Sequence, residues 1–93
     1  MIMSFADKQT AAVFVGLKVR RFGAELLRMA QRKLAQLHRA GRIEDLAVPS
    51  GNRLEKLSGD RNGQWSMRIN DQWRICFVWR DSNAWDVEIV VYH

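Results

Sequence analysis

The sequence has a single cysteine, Cys76, a single proline and only two histidines among its 93 residues. One thiol cannot form a disulfide within the chain, and two histidines with one cysteine do not make the ligand pattern of a structural zinc site. No apolar run reaches the length of a membrane span, and residues 1–8 lack the basic and apolar regions of a signal peptide. These absences predict a cytoplasmic protein with no structural metal and no membrane association.

The sequence also lacks the features of a disordered or repetitive protein. It has no low-complexity tract, no internal repeat and no long block of like charge. Its 93 residues are 47% hydrophobic and include four tryptophans, which is enough for one small core. We therefore expect a single domain over residues 1–93.

The net charge of +5 is unevenly distributed along the chain. Residues 1–48 contain nine basic and four acidic side chains, whereas residues 49–93 contain six of each sign. Arginine outnumbers lysine by eleven to four, and its planar guanidinium can bind phosphate through two parallel hydrogen bonds. The balance fits a polyanionic partner such as nucleic acid, but an ordinary basic surface would have the same composition.

The first half of the chain predicts two helices. Asp7 can cap a short helix over residues 9–15. A longer helix is predicted over residues 24–40 and ends at Gly41, because a glycine commonly follows the last helical residue. Its apolar residues recur at three- and four-residue steps, which places them on one face. Its basic side chains fall largely on other faces, where they could be solvated or could face RNA or an acidic protein.

From residue 53 onward the pattern changes to the alternation typical of strands. Four strands are predicted, over residues 53–57, 64–69, 73–78 and 85–91. If the last two loops contain three residues each, the odd-numbered apolar side chains share one face of an antiparallel sheet. That face includes all four tryptophans, and we expect it to pack against the helices.

The opposite face of the predicted sheet is polar and lies outside the apolar core. With residues 70–72 as the loop, Arg68 and Arg74 lie directly across from each other. Like charges in these positions destabilise a sheet unless an anion lies between them. A phosphate-binding site would explain the pair, and so would neighbouring carboxylates, such as that of Glu88 on the next strand.

Several stretches, spread over nearly the whole chain, have the sequence pattern of one known family. They are SFADKQT at 4–10, RLEKLSGDR at 53–61, GQWSMRINDQWRICF at 63–77 and DVEI at 86–89. In these stretches the chain resembles the HigB/RelE-type toxins of bacterial type II toxin–antitoxin systems. The resemblance implies an α+β fold of the microbial-ribonuclease, RelE-like type, with N-terminal helices on one face of a small antiparallel sheet and a basic catalytic face opposite. It also implies a metal-independent endoribonuclease, without a cofactor, that cleaves mRNA in the ribosomal decoding site and inhibits translation.

The resemblance assigns catalytic positions to Lys56, Arg74, Tyr92 and His93. Arg74 would contact the scissile phosphate, and Lys56 would stabilise charge or share in proton transfer. Tyr92 and His93 would orient the phosphate or handle protons. Structural alternatives remain open for three of them, since Tyr92 could cover the edge of the core, His93 could be a frayed end, and Lys56 could form a surface charge pair with Glu55.

The resemblance also implies three supporting RNA contacts, from Arg53, Arg61 and Arg68. The chain departs from the family pattern at Val91, where an acidic residue often precedes the Tyr-His pair. If that carboxylate orients the histidine, its loss would slow the enzyme or change its specificity.

The implied partners are a helix-turn-helix antitoxin of the HigA-like type, the 70S ribosome and mRNA, with operator DNA bound only through the antitoxin complex. One alternative is a degenerate, non-catalytic toxin homologue that is retained for antitoxin or operator binding. A nucleic-acid-binding protein outside toxin biology is a weaker alternative, because the aromatic residues lie on the predicted core face and no helix-turn-helix spacing is present.

Overall fold

The computed structural model describes residues 1–91. It contains two α-helices, α1 over Lys8–Phe14 and α2 over Ala24–Arg39. Four strands form one antiparallel sheet in the order β1-β2-β3-β4, and they span Glu55–Lys56, Trp65–Arg68, Trp73–Arg80 and Asn83–Val91. Short 3₁₀ turns connect the elements at Ile43–Ala47, Ser50–Asn52 and Gly59–Arg61.

Both helices lie within one residue of their predicted bounds. The Asp7 carboxylate accepts a hydrogen bond from the Thr10 amide at 2.7 Å, so the predicted cap of α1 is confirmed. α2 ends through Ala40, whose backbone is extended. Gly41 follows that residue, and the left-handed glycine cap that is common at helix ends is not used here.

The helices pack against one face of the sheet. α2 buries Ala30, Leu34 and Leu37, and α1 is held to the last strand because the Thr10 hydroxyl accepts a hydrogen bond from the Ile89 amide at 3.1 Å. On the face of the sheet toward the helices, the fully or almost fully buried side chains include Met67, Ile75, Phe77, Val87 and Ile89. This arrangement confirms the predicted α+β fold with helices on one face of a small antiparallel sheet.

The turn between β3 and β4 is shorter than predicted. Only Asp81 and Ser82 form it, both with positive φ (54° and 60°), which is the backbone geometry of tight two-residue hairpins. Trp79 therefore lies opposite Ala84. Ala84 is buried in the core, at the place that the odd-numbered pattern assigned to Trp85.

A β-bulge in β4 then restores the pattern. Cys76 pairs with Glu88 and Val78 pairs with Trp85, so β4 has one more residue than β3 over this interval, and Asp86 takes a left-handed φ of 53° within it. Trp85 consequently lies beside Val78 on the face away from the helices. The prediction that all four tryptophans belong to the core face is wrong for Trp85.

An additional segment, which the sequence pattern did not predict as a strand, lies along the outer edge of β4. Residues 1–6 run parallel to β4, with isolated bridges that join Ile2 to Ala84 and Phe5 to Val87. The Ile2 amide also donates a hydrogen bond to Nδ1 of His38 on α2, at 3.1 Å. The start of the chain is thereby attached to both the sheet and the long helix.

Candidate functional site

The face of the sheet that points away from the helices carries the predicted arginine pair. Arg68 on β2 lies directly opposite Arg74 on β3, as predicted. Each guanidinium has its own carboxylate, since Arg68 pairs with Asp71 in the loop and Arg74 pairs with Glu55 on β1 at 3.4 Å. Carboxylates of the chain itself thus balance the opposed charges, and a phosphate that binds here has to compete with them.

Arg74 is the most enclosed charged residue of this face, with only 5% of its surface exposed. Its Nε donates a hydrogen bond to the hydroxyl of Ser66 at 2.8 Å, and its Nη2 donates one to the backbone carbonyl of Arg53 at 2.7 Å. A buried cation is costly unless its donors are satisfied. These bonds, together with the Glu55 carboxylate, hold the guanidinium in one orientation.

The backbone of Arg53 has an unusual conformation that serves this arrangement. Arg53 follows the turn Ser50–Asn52 with φ 44° and ψ 53°, the left-handed region that residues other than glycine rarely adopt. In this conformation the Arg53 carbonyl accepts the hydrogen bond from Arg74. The Arg53 side chain itself is exposed, so this residue contributes to the site through its main chain as well as through its charge.

Glu55 and Lys56 point to opposite faces of the sheet. Glu55 pairs with Ser66 and shares its face, whereas Lys56 pairs with Trp65, whose side chain packs against the core. The Lys56 ammonium lies 5.9 Å from the centroid of the Trp65 ring. The register of β1 therefore separates the Lys56 side chain from the Arg74 guanidinium.

Two pockets flank Arg74, and it lines both of them. We call the first the loop pocket, of about 190 Å³, which is lined by Arg53, Arg68, Asn70, Asp71 and Arg74. We call the second the strand pocket, of about 150 Å³, which is lined by Leu57, Arg61, Ser66, Arg74, Cys76, Val90 and Val91. A small anion in either pocket would therefore lie next to the Arg74 side chain.

Arg61 reaches the strand pocket from the turn that precedes β2. Its guanidinium forms an ion pair with Glu88 at 3.2 Å and donates a hydrogen bond to Gln64 at 3.0 Å. Glu88 was predicted as a possible partner of Arg68 or Arg74, but it pairs with Arg61. The ion pair fixes a second guanidinium at the pocket that Arg74 lines.

Cys76 lies on the same face and is buried. Burial raises the pKa of its thiol, Arg61 acts in the opposite direction, and Glu88 raises the pKa further. A thiol of raised pKa stays protonated at neutral pH and is a poor nucleophile. We therefore interpret Cys76 as a residue that fills space beside the arginines.

A sequence model of the HigB-like toxin family, described as the RelE-like toxin of the type II toxin–antitoxin system HigB, matches residues 3–93. The chain belongs to this family. Among curated HigB proteins, Toxin HigB-1 of Vibrio cholerae serotype O1 (strain ATCC 39315 / El Tor Inaba N16961) is 45% identical over 53 residues. That match covers 57% of this chain and 56% of the relative, so it spans little more than half the length of either protein.

The HigB-like fold is similar to that of two solved toxin–antitoxin structures. One is described as the YoeB–YefM complex from Staphylococcus aureus, with a TM-score of 0.63 and 16% identity, and the match covers 100% of this chain and 98% of that one. The other, a heterotetrameric YoeB–YefM toxin–antitoxin complex from the same organism, has a TM-score of 0.62 at the same identity and coverage. At this identity the likeness establishes the fold alone.

The residues that the HigB-like resemblance implies are only partly brought together. The four predicted arginines all line the two pockets, whereas Lys56 lies on the other face. Tyr92 and His93 lie outside the described residues 1–91. Val91, which stands where the family often has an acidic residue, lines the strand pocket with 42% of its surface exposed.

Ser66 and the Arg53 carbonyl were missed as functional groups by sequence reasoning. The strand register, once known, places Ser66 opposite Cys76 and next to the Arg68–Arg74 pair, and this was the one available signal. A lone serine in a strand carries no other mark. A backbone carbonyl carries no side-chain signal at all, so its contact with Arg74 could not be read from the residue types.

Neither helix within residues 1–91 is both long and apolar enough to cross a membrane. The same part of the chain contains no group of three or more His, Cys, Asp or Glu side chains placed to hold a metal ion.

Proposed function

We propose that this HigB-like chain is an endoribonuclease that cleaves mRNA in the decoding site of the ribosome and thereby inhibits translation. The observation that carries the proposal is the buried guanidinium of Arg74, which is held by Ser66, Arg53 and Glu55 and which lines both pockets of the polar face. In a member of a toxin family, such a fixed cation fits the binding of one phosphate group of RNA.

The proposed reaction is the internal transfer of a phosphodiester. The ribose 2′-oxygen attacks the adjacent phosphorus, the bond to the 5′-oxygen breaks, and a 2′,3′-cyclic phosphate and a free 5′-hydroxyl result. A base takes the proton of the 2′-hydroxyl, and an acid protonates the leaving oxygen. Between these steps the phosphorane carries additional negative charge, and a guanidinium positioned in advance lowers the barrier by stabilising it.

Arg74 is assigned to the stabilisation of the phosphorane, because its orientation is fixed by hydrogen bonds to the chain itself. Tyr92 and His93, which directly follow the pocket-lining Val91 in the chain, are assigned to proton transfer or phosphate orientation. Lys56 is assigned to charge stabilisation at the rim, which its flexible side chain would reach by passing around the edge of the two-residue strand β1. Since permanently charged side chains supply the electrostatic stabilisation, the proposed mechanism requires no metal.

Arg53, Arg61 and Arg68 are assigned to phosphates on either side of the scissile one. Arg53 and Arg68 line the loop pocket, and Arg61 lines the strand pocket. The carboxylates that pair with Arg61 and Arg68 set a threshold, since a phosphate displaces them only where it brings more favourable charge and geometry.

We further propose a cytoplasmic location and neutralisation by a helix-turn-helix antitoxin of the HigA-like type, with operator DNA bound only through the antitoxin complex. The family match supports an antitoxin partner, and the two structural relatives are described as toxin–antitoxin complexes. A basic chain with a net charge of +5 is electrostatically suited to an acidic protein partner.

The test is primer extension on a defined message, either free or bound to 70S ribosomes, with and without the purified chain. Cuts that appear only on the ribosome-bound message would support the proposal. Arg74→Gln should reduce the single-turnover rate by at least about a hundredfold, because it removes the cation while keeping a hydrogen-bonding side chain of moderate size. Arg42→Gln, which changes an exposed arginine that pairs with Glu44, serves as the matched control and should cut like the parent.

A second candidate function, a non-catalytic toxin homologue that only binds its antitoxin or operator, is favoured by Val91 at the position of the family's acidic residue. It predicts a folded protein that binds antitoxin tightly and makes no cut in either message. Equal cutting by the parent and Arg74→Gln would instead contradict the site assignment.

A further inference from the structure

A third cavity, larger than the two pockets beside Arg74, lies between α2 and the end of β2. We call it the helix groove. Its volume is about 630 Å³, and its basic lining residues are Arg32, Lys33 and Arg39 from α2 and Arg68 from β2. The remaining lining residues are apolar or neutral, and none of the lining residues is acidic.

The cations of α2 in the helix groove have no acidic partner among residues 1–91, in contrast to those of the arginine pair. Within residues 1–91, no carboxylate lies within 4.0 Å of the charged groups of Arg32, Lys33 or Arg39. Basic side chains gathered around one concave surface repel each other, and this repulsion is relieved when an anion binds between them.

Lys33 is held in the groove by a hydrogen bond to a buried side chain. Its ammonium donates a hydrogen bond to the side-chain carbonyl of Asn52, which is completely buried. The Asn52 amide in turn donates to the Leu46 carbonyl at 3.0 Å and to the side chain of Gln36 at 3.2 Å. Burial, followed by the charges of Arg32 and Arg68, lowers the pKa of Lys33. The fold thus holds Lys33 beside two other cations, where a bound anion would relieve their mutual repulsion.

The helix groove adjoins the predicted cleavage site through shared lining residues. Arg68 lines both the groove and the loop pocket, and Arg74 lines both the loop pocket and the strand pocket. A chain of phosphates with one member at Arg74 can therefore continue past Arg68 and enter the groove. A single small anion would occupy only one of these cavities, whereas a polyanionic strand could place successive phosphates in several of them.

We infer that the helix groove binds the sugar–phosphate backbone of the same RNA strand whose scissile phosphate lies at Arg74, on one side of the cut. This inference rests on the proposed function. Arg32, Lys33 and Arg39 contact phosphates there and make no contact with the reacting atoms. They contribute to the affinity for the message and leave the rate of the bound complex unchanged.

The test compares two double variants of equal charge. Arg32→Gln/Arg39→Gln removes two exposed cations from the groove, while Lys33 and Asn52 stay in place. Lys8→Gln/Lys18→Gln removes two exposed cations that line none of the three cavities. The first measurement needs no cleavage, and it is the fluorescence anisotropy of a single-stranded 2′-O-methyl RNA over a range of salt concentrations.

The groove variant should bind this RNA about tenfold more weakly and should have a salt dependence that is shallower by about 1.4, the value for two lost phosphate contacts to a single strand. The control variant should lose clearly less of both. Equal losses in the two variants would overturn the inference, and so would a parent chain that does not bind the RNA. A groove variant that binds RNA like the control but loses affinity for an acidic antitoxin would show that the groove is a protein-docking site, which also overturns it.

The second measurement separates the message from ribosomal RNA as the bound strand. Single-turnover cleavage is followed on ribosome-bound messages that are shortened on one side of the cut. Shortening the message on the side that the groove binds should raise the concentration of the parent for half-maximal cleavage as much as the groove substitutions do. The two changes together should raise this concentration no further than either change alone. A loss that is the same on every message would place ribosomal RNA in the groove and overturn the inference. Absence of cleavage by the parent, combined with salt-sensitive binding of RNA in the groove, would contradict the proposed function alone.

Discussion

Ser66 and Arg74 are joined by a hydrogen bond of 2.8 Å between two side chains that are both buried, with exposures of 0% and 5%. They lie on neighbouring strands, and neither can move without disturbing the sheet, because Ser66 is paired with Cys76 and Arg74 with Arg68. The Ser66 hydroxyl is therefore a fixed hydrogen-bond acceptor that orients the Arg74 guanidinium. In the proposed reaction it makes Ser66 a positioning residue that acts through Arg74.

Ser66→Ala should lower the single-turnover cleavage rate by roughly tenfold and the free energy of unfolding by about 1–3 kcal/mol, since it leaves Nε of the buried Arg74 without its acceptor. Ser66→Thr, which restores a hydroxyl, should recover part of the rate. The exposed Ser58→Ala is the control. Denaturant unfolding and cleavage of ribosome-bound message measure the two effects. Equal rates for the Ser66 and Ser58 variants would show that the hydroxyl does not position Arg74.

Glu55→Gln should strengthen binding of the message, because it removes a carboxylate that competes with phosphate for Arg74 at 3.4 Å. The Glu55 side chain is 48% exposed but that of Arg74 is only 6% exposed, so removing the carboxylate should lower the free energy of unfolding by about 1–3 kcal/mol, because a buried cation loses its partner charge. The concentration for half-maximal cleavage should fall severalfold, while the maximal rate stays within about twofold. Glu88→Gln, which frees Arg61 instead, is the comparison. A fall of the maximal rate by more than a hundredfold in Glu55→Gln would instead identify this carboxylate as a general base.

Asn52→Ala should be among the more destabilising single substitutions in this part of the chain. Asn52 is fully buried, and its amide donates to the backbone carbonyls of Leu46 and Val48 at 3.0 Å and 3.3 Å. We expect a loss of about 2–4 kcal/mol, because several buried polar groups lose their partner at once. Thermal unfolding followed by circular dichroism measures the loss. Asn62→Ala, at an exposed turn position, should change stability by less than 0.5 kcal/mol, roughly the range of surface substitutions.

Val91→Asp should increase the cleavage rate severalfold, because it restores the carboxylate that the HigB pattern places before the Tyr-His pair, where it can orient an imidazole or share a proton. Val91 is 42% exposed, so the fold should tolerate the change. Val91→Asn has nearly the same shape without the charge and should not accelerate cleavage. A slower Val91→Asp variant would show that the added carboxylate mainly competes for the arginines of the strand pocket.

The sheet shows how far the alternation of residues could be followed. The odd-numbered pattern correctly placed Met67, Ile75 and Phe77 in the core, and the opposed arginines were correct because the loop over residues 70–72 has the predicted length. Trp85 was wrong because a two-residue turn and a bulge reverse the faces twice within a few residues. Both features depend on left-handed backbone at Asp and Ser residues, which residue types alone do not specify.

The candidate site was predictable in part, for a related reason. The family resemblance supplied the arginines, since they stand in stretches that are recognisable along the chain. It could not show that Lys56 lies on the face of Trp65, because this depends on the register between β1 and β2. Nor could it show that Lys33 is held by Asn52, because 19 positions separate the two residues and the contact exists only in the folded chain.

Residues 1–6 contain none of the predicted site residues, yet they determine whether the edge of β4 can pair with another chain. They occupy its outer edge, and the opposite margin of the sheet is the two-residue β1, which is too short to pair extensively with another chain. Open strand edges are where identical chains stick to each other. A copy without this segment would keep every arginine of the polar face, but the edge of β4 would be open. Such a copy would be prone to self-association during synthesis, before a toxin has bound its antitoxin.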